Sequence, residues 1–474
     1  MKRLIPAILL LLCISSQLYA QPSDAYLTNR LNAGRMPGAS MVVVKDGKWI
    51  FEKSLGKADI ANNKDVTRHT IFMLASVSKT IVATAVMQQW EKGAIDLDID
   101  VNNYLPFVLK HPVHQTDSIT MRMLLTHTSA IEDNWNTMGS LYVYGDSPIP
   151  LDSFMKEYFT PLGVFYDATG NFYGYQPGAQ WNYSNMATTL AAYVVERVTG
   201  DLFSHHCDTA IFQKICMKNT SWLLSGIQDT TMIARPYSYI GGNYEDIGLY
   251  GYPDYPDGQL RTSVTSLARF MTMYMQYGEF EGTRLLDSTT VDYMLQPQTT
   301  AVNYQGIIFY SAPSSNGDIL WGHNGGDAGV ATAMYFNLAK KTGAIVLTNG
   351  DGTQSVSPDL LVDTLYKFGL TVTPAPTDTF PHCSEPTTVY DVQPSLANVS
   401  LGPNPTTGIL GVTTDKECMI TLTDMQGRQV AQQRLQAGKN MLDLRQSAAP
   451  GIYFVRIIGE NGAVIATEKI LFLR

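Results

Sequence analysis

The sequence predicts an α/β (α+β) domain over residues 21–370, a proline-rich connection over 371–393 and a small β-sandwich over 394–474. Three observations carry this. Strand signals stand at both ends of the first segment with helix patterns between them. One antiparallel sheet is then completed by both termini of the domain, flanked by helices and joined to an all-helical region. Thr371 to Thr388 holds Pro374, Pro376, Pro381 and Pro386 among Thr, Ser and Asp, the composition of an extended linker. Beyond Pro394, short β-runs recur at turn-separated spacing with no cluster of catalytic residue types.

The elements follow in order. Residues 1–20 combine Met1-Lys2-Arg3, an apolar run from Leu4 to Ile14 and small residues before Gln21, which describes a secretory signal peptide. Asp24 to Ala33 reads as a helix. Ala39–Val44 and Trp49–Phe51 read as strands joined through Lys45-Asp46-Gly47-Lys48, a strong hairpin signal. Ile81 to Trp90 is apolar almost all round and closed by Gly93, so it reads as a buried helix. Met121 to Ala130 is a short helix running into a polar turn. Trp135 to Trp181 is a long aromatic connection carrying an amphipathic helix, Leu151 to Tyr158.

Further helices span Ser184 to Val198, closed by Gly200, Ser263 to Tyr277, and Val356 to Phe368. Gly241 to Gln259 is rich in Gly, Tyr and Pro, a second candidate cleft wall. Ile319–His323 begins a strand, and Val330–Asn337 with Ala344–Asn349 makes a hairpin through Leu338 to Gly343. The sandwich strands are Met419–Thr423, Gln429–Leu435, Met441–Leu444, Ile452–Ile457 and Lys469–Leu473, with turns at Gly427, Gly438, Gly451 and Asn461-Gly462.

Composition excludes several classes. The chain of 474 residues carries a formal net charge of -9 and no basic tract, so nucleic acid is not an expected partner. Past the signal, no apolar run approaches spanning length, so no transmembrane span is expected. Cys207 and Cys216 are the closest candidates for a disulfide, with free buried thiols the alternative. His111/His114 and His205/His206 read as surface histidines, and neither a metal nor a cofactor is expected.

Candidate chemistry centres on Ser-x-x-Lys, which occurs three times. Ser54-Leu55-Gly56-Lys57 follows a strand in a glycine-containing turn. Ser153-Phe154-Met155-Lys156 lies on a helix carrying Asp152 and Glu157, which reads as a surface helix. Ser76-Val77-Ser78-Lys79 alone opens a buried helix. Spacing i, i+3 puts the hydroxyl and the amine on one face. Burial and the positive helix end are expected to lower the Lys79 pKa and to favour an oxyanion near Ser76.

Two further motifs follow in order: Tyr183-Ser184-Asn185 after Pro177-Gly178, and His323-Asn324-Gly325-Gly326 at a strand start. With Leu124-Leu125-Thr126-His127-Thr128-Ser129, they resemble the serine β-lactamase and penicillin-binding-protein superfamily, in its class C β-lactamase, D-alanyl-D-alanine peptidase and esterase branch. The resemblance covers Asp24 to Leu370. It implies that Ser76 forms an acyl-enzyme and that Tyr183, its pKa lowered by the Lys79 ammonium, or Lys79 itself is the base. Asn185 would bond Lys79 and the substrate amide. The N–H groups of Ser76 and Gly326 would hold the oxyanion, with His323, Asn324, Gly325 and Gly326 lining the opposite wall. His127 belongs to a structural loop. Tyr335-Phe336-Asn337 lies mid-strand, and the literal Lys341-Thr342-Gly343 falls in a hairpin turn, so neither is assigned to the site.

His323 stands where β-lactamases mostly carry Lys. A histidine near neutral at pH 7 pairs weakly with a substrate carboxylate, which shifts the expectation toward an esterase or D-amino-acid peptidase. The rivals are a true β-lactamase or peptidoglycan D,D-carboxypeptidase, and an idle binding or sensor module of the same fold. Leu401 to Gly408, Asp424-Met425-Gln426-Gly427-Arg428, Gly451 to Arg456 and Glu468-Lys469-Ile470 resemble the sorting domain of the type IX secretion system of Bacteroidetes. That resemblance implies export through the periplasm and outer membrane to the surface or medium, with the secretion machinery as partner and a small molecule or peptide as substrate.

Overall fold

The computed structural model describes residues 20–353, 355–381, 400–402, 406–414, 416–424, 428–446, 448–459 and 464–472. The expected signal peptide, the later linker with Cys383, and the turns at Gly427 and Asn461-Gly462 lie outside the described residues. The catalytic-sized unit is built on an antiparallel sheet. Its strand order is Tyr310–Pro313, Ile319–Asp327, Val330–Asn337, Thr342–Thr348, Gly38–Lys45, Lys48–Asp59 and Lys64–Asp65. Gly38–Lys45 pairs with Thr342–Thr348, Ala39 opposite Thr348, so both ends of the unit meet in mid-sheet.

That central position explains the unbroken apolar run of the first strand. Ala39, Met41 and Val43 face one core with Leu27, Leu31, Leu361 and Leu365 of the helices Asp24–Ala33 and Pro358–Thr371. Val42 and Val44 face the other core with Ile345, Leu347 and the central helices. Alternation along a strand buried on both faces feeds two cores at once. The helix Lys79–Glu91 lies in the second core. Every residue from Lys79 to Gln89 is buried, because no charge interrupts Thr80 to Trp90.

Several expectations are corrected. The second strand continues to Asp59, so Ser54-Leu55-Gly56-Lys57 lies within it and not in a turn, with Ser54 Oγ 3.0 Å from Ser40 Oγ. Gly56 has φ +76°, and a Cβ there would meet the Pro37 carbonyl at 2.1 Å, so both the backbone angle and the close approach require glycine. Of Lys341-Thr342-Gly343, only Lys341 remains in the turn; Thr342 and Gly343 open the next strand and are buried. His111 and His206 are buried rather than on the surface. His111 Nδ1 accepts from the Val113 and His114 amides, and its Nε2–H donates to Tyr173 O at 2.8 Å, tying two loops together. The pairing of Cys207 with Cys216 does not form: Cys207 is a free buried thiol and Cys216 is disulfide-bonded.

Residues after the last helix stay on this unit. Lys45 Nζ donates to Leu370 O and Val372 O at 3.0 and 2.7 Å. Phe380 is buried edge-on between Trp49 and Phe280, with centroids at 5.3 and 5.0 Å, and the Arg269 guanidinium donates to Pro381 O. The C-terminal unit has a three-stranded sheet, Ser400–Gly402, Ile409–Thr414 and Gly438–Asp443. Its four-stranded sheet is Gln429–Leu435, Cys418–Asp424, Gly451–Gly459 and Val464–Phe472. Leu410, Val412, Ile420, Leu422, Val455 and Ile457 form its core. Ser400–Gly402 and Ile409–Thr414 are strands that the β-runs did not reveal.

Candidate active site

Ser76 stands in a short 3-10 turn, Ala75–Ser78, that leads into the helix Lys79–Glu91. The preceding residue, Ala75, has φ +47°, a left-handed conformation that a non-glycine residue keeps only under constraint. Neighbours on both sides supply it. Leu74 N–H donates to Leu260 O at 2.8 Å, and Ser78 Oγ accepts from Leu260 N–H at 3.2 Å. From the other side Thr332 Oγ1 donates to Leu74 O at 2.6 Å. The strand Ile319–Asp327 lies against the same turn. A Cβ on Gly325 would sit 2.4 Å from Leu74 O and 2.9 Å from Ser76 N. Gly325 therefore leaves the strand room to pack directly on the Ser76 turn. A Cβ on the exposed Gly326 would meet nothing within 4 Å, so its backbone faces open space.

Lys79 is fully buried, and its ammonium donates to Ser76 Oγ at 3.1 Å, Asn185 Oδ1 at 2.6 Å and Asp257 O at 2.6 Å. All three of its protons have acceptors. Burial pulls its pKa down, but at the alkaline pH where Lys79 titrates, the phenolate that Tyr183 then becomes and the Asp257 and Asp133 carboxylates outweigh burial, and the net shift is upward. This reverses the expected direction, which counted burial without these neighbouring anions. Tyr183 is reversed as well. Burial raises its pKa by more than the Lys79 ammonium lowers it, so the resting side chain is a phenol. Its hydroxyl is buried, close enough to feel Ser76 and Lys79 but without an aligned hydrogen bond. The Lys79 Nζ lies 5.1 Å from the Tyr183 ring centroid.

Asn185 is the first residue of the helix Asn185–Thr199, capped by Ser184, whose Oγ accepts from Ala187 N–H. Asp133 holds the same helix end. Its Oδ2 accepts from Asn185 N–H and Asn185 Nδ2 at 2.9 and 2.8 Å. Its Oδ1 accepts from Met186 N–H at 3.0 Å and Ser184 Oγ at 3.2 Å. Behind Lys79 lie two buried acids, Asp254 and Asp257. Burial lifts both, Asp254 to about 7 and Asp257 well above the ordinary carboxylate value. Two like charges that close cannot both ionise readily.

His323 is buried and its Nδ1 lies on the Asn324 carbonyl, which can only accept. Nδ1 therefore carries the proton, and Nε2 presents a lone pair with no partner among the described residues. Burial pushes its pKa down to about 3, so the ring is neutral at working pH. His127, in the loop after Met121–Leu125, has its ring centroid 4.4 Å from Tyr183. Its Nδ1 accepts from Ser184 N–H at 3.2 Å, so Nε2–H is a donor, again without a partner among the described residues.

The structure thus brings Ser76, Lys79 and Asn185 into hydrogen-bond contact, with Tyr183 beside them. Gly325 lies on the nucleophile turn, and the His323 ring is 6.1 Å from Tyr183. Asn324 is exposed, and its carbonyl is engaged by His323. Ser153 is on the helix Leu151–Phe159, its Oγ 3.3 Å from Asp152, away from this group. Asp133, Asp254 and Asp257 were missed. The acid pair within the aromatic stretch 241–259 was the available signal; for Asp133 there was none beyond an acid near His127. Among the described residues, no group of three or more His, Cys, Asp or Glu is placed to hold a metal.

The sheet flanked by helices and this ordered serine–lysine–tyrosine site define the class. A model of the beta-lactamase family matches residues 23–365, and one of the secretion system C-terminal sorting domain matches residues 400–472. The chain belongs to the beta-lactamase family. Esterase EstB of Burkholderia gladioli is 29% identical over 201 residues, 42% of this chain and 50% of that one, so the chain spans about half of this curated relative. Among solved structures, the octameric penicillin-binding protein homologue from Pyrococcus abyssi has a TM-score of 0.58 at 17% identity, covering 94% of this chain and 97% of that one. The D-amino acid amidase of Ochrobactrum anthropi SV3 has a TM-score of 0.58 at 20% identity, covering 72% and 94%. At these identities the likeness shows the fold.

Proposed function

We propose that the protein is an exported serine hydrolase that forms an acyl-enzyme at Ser76 and cleaves neutral esters or amides, of esterase or D-amino-acid peptidase type. One observation carries this: the Lys79 ammonium has all three protons engaged, one of them on Ser76 Oγ. The cation therefore sits beside the hydroxyl without being free to take its proton. Tyr183, a phenol at rest, is left to move protons. As Ser76 Oγ attacks the carbonyl carbon, Tyr183 passes its own proton toward the leaving oxygen or nitrogen and takes the Ser76 proton in its place, so the phenolic oxygen becomes partly negative in passing and ends as a phenol. Deacylation reverses the path: water gives a proton to Tyr183, and Tyr183 returns one to Ser76 Oγ. Lys79 stays charged throughout and stabilises negative charge on the phenolic oxygen. The Ser76 and Gly326 amides would hold the carbonyl oxygen as it becomes negative.

The substrate class follows from His323. Its neutral ring offers a lone pair where a cation would be needed for a carboxylate, which favours neutral acyl compounds over β-lactams and free C-terminal D-peptides. The sorting domain supports export by the type IX route to the cell surface or medium. A fluorophosphonate probe is expected to label Ser76 and to fail on Ser76→Ala. Among p-nitrophenyl esters, D-amino-acid amides and a chromogenic cephalosporin, the first two are expected to turn over. Labelling at Ser54 or Ser153 instead, or rapid cephalosporin hydrolysis, would overturn the assignment of site or of substrate.

A further inference from the structure

We infer that Asp133 is a positioning residue: it fixes the Asn185 amide with its oxygen toward Lys79, and so keeps Lys79 charged beside Ser76. The inference rests on the proposed acyl transfer at Ser76. A carboxylate only accepts and an ammonium only donates. Asn185 lies between the two, and one amide orientation satisfies both: Nδ2 on Asp133 Oδ2 at 2.8 Å and Oδ1 on Lys79 Nζ at 2.6 Å. The flipped amide would face donor to donor and acceptor to acceptor.

Asp133 is itself held at the helix terminus by the Asn185 and Met186 amides and by Ser184 Oγ. Burial lifts the Asp133 pKa, and the Asn185 and Met186 amides, the Lys79 charge and Ser184 Oγ work against that lift. The helix end, the carboxylate, the amide and the ammonium make one polarised chain ending on Ser76 Oγ. Asp133 touches no reacting atom, so its effect has to travel through Asn185 and Lys79.

The test is Asp133→Asn, which keeps the volume but turns two acceptors into a mixed pair. Whichever way the new amide lies, its NH2 meets a former donor: Asn185 Nδ2, whose amide then turns, or Met186 N–H, whose helix end then shifts; in both cases Lys79 loses the charge that faces it through Asn185. A shift of this kind is expected to lower kcat about 10- to 100-fold, with KM changed far less. The Lys79 titration, followed by NMR of ε-labelled lysine, is expected to move to lower pH. In an Asn185→Ala background, Asp133→Asn is expected to add almost nothing to either readout. Leu31→Ala, in the core across the sheet, is the control for lost stability: it lowers Tm while leaving kcat and the titration unmoved. The inference is overturned if Asp133→Asn behaves like Leu31→Ala, or if its effects multiply in full with those of Asn185→Ala. The lysine titration needs no turnover, so it decides the role of Asp133 even if the probe fails to label Ser76 and the acyl-transfer reading falls.

Discussion

Around Lys79 every polar atom of the ammonium and of its amide neighbour is matched, whereas around Tyr183 three buried atoms are not. Lys79 has three acceptors, and Asn185 is held at both ends of its amide. The Tyr183 hydroxyl, His127 Nε2 and His323 Nε2 have no partner among the described residues. Burying an ammonium costs several kcal/mol unless it is fully bonded, and here it is. An unmatched buried polar atom costs about 1–3 kcal/mol, and here it persists three times in one place. The matched half is rigid equipment set before substrate arrives. The unmatched half offers a hydroxyl, a donor and a lone pair to a molecule that binds there.

Mutations can break this contrast, beginning with the largest effect. Ser76→Ala is expected to lower ester hydrolysis by a factor of roughly a thousand or more, with a urea midpoint little changed. Tyr183→Phe comes next. Loss of a proton-moving group is expected to lower kcat about 10²- to 10⁴-fold. Because the hydroxyl is unmatched, stability is expected to hold or rise by about 1 kcal/mol. A clear fall in urea stability would show that the hydroxyl already has a partner and would erase the contrast.

Two adjacent glycines sharpen it further. Gly325→Ala drives a Cβ into Leu74 O and Ser76 N, and overpacking of this kind costs about 1–3 kcal/mol. Gly326→Ala meets nothing within 4 Å, so its urea midpoint is expected to stay put while ester turnover falls. Equal destabilisation by both would mean that the strand does not lie on the nucleophile turn as described.

The smallest effect is in pH. His323 goes from an ordinary value of 6.5 down to about 3 on folding. Between those values the unfolded chain binds a proton that the folded one refuses, so stability is present above pH 6.5 and is lost as pH falls toward 3. His127, also pushed down by burial, adds in the same direction. His323→Gln is expected to flatten the urea stability profile over that window relative to the native chain. For Lys79, with its pKa raised, the sign is opposite: its contribution is full below about 10.5 and fades as pH rises through the folded value. Ester hydrolysis is therefore expected to stay level from neutral to mildly alkaline pH. A tenfold rise per pH unit would instead mean that a phenolate, not the phenol, does the work.

Much of this was legible in residue order. Both ends of the unit contribute strands to one sheet because apolar runs of strand length stand at both ends, and the Ser76 helix is buried because its sequence lacks charges. Ser76, Lys79, Tyr183, Asn185, His323 and Gly325 come together from motifs spread over about 250 positions. Asp257 was not legible because it acts through a backbone carbonyl, which any residue possesses. Asp133 was not legible because its partners lie 51 to 53 residues away. The pKa directions of Lys79 and Tyr183 failed for a third reason. Each is a balance of burial against neighbouring charges, and the sequence reports the residue types without the separations that decide the sign.

The ring of Phe380 between Trp49 and Phe280 bears on where the connection to the C-terminal unit could be cut without harm. A protease that severs the two units beyond Pro381 would leave that ring behind as a built-in plug. One cutting before Phe380 would draw it out and open the core to water. Phe380 thus marks how far the first unit reaches along the connection, and a cut on one side of it spares the core while a cut on the other exposes it.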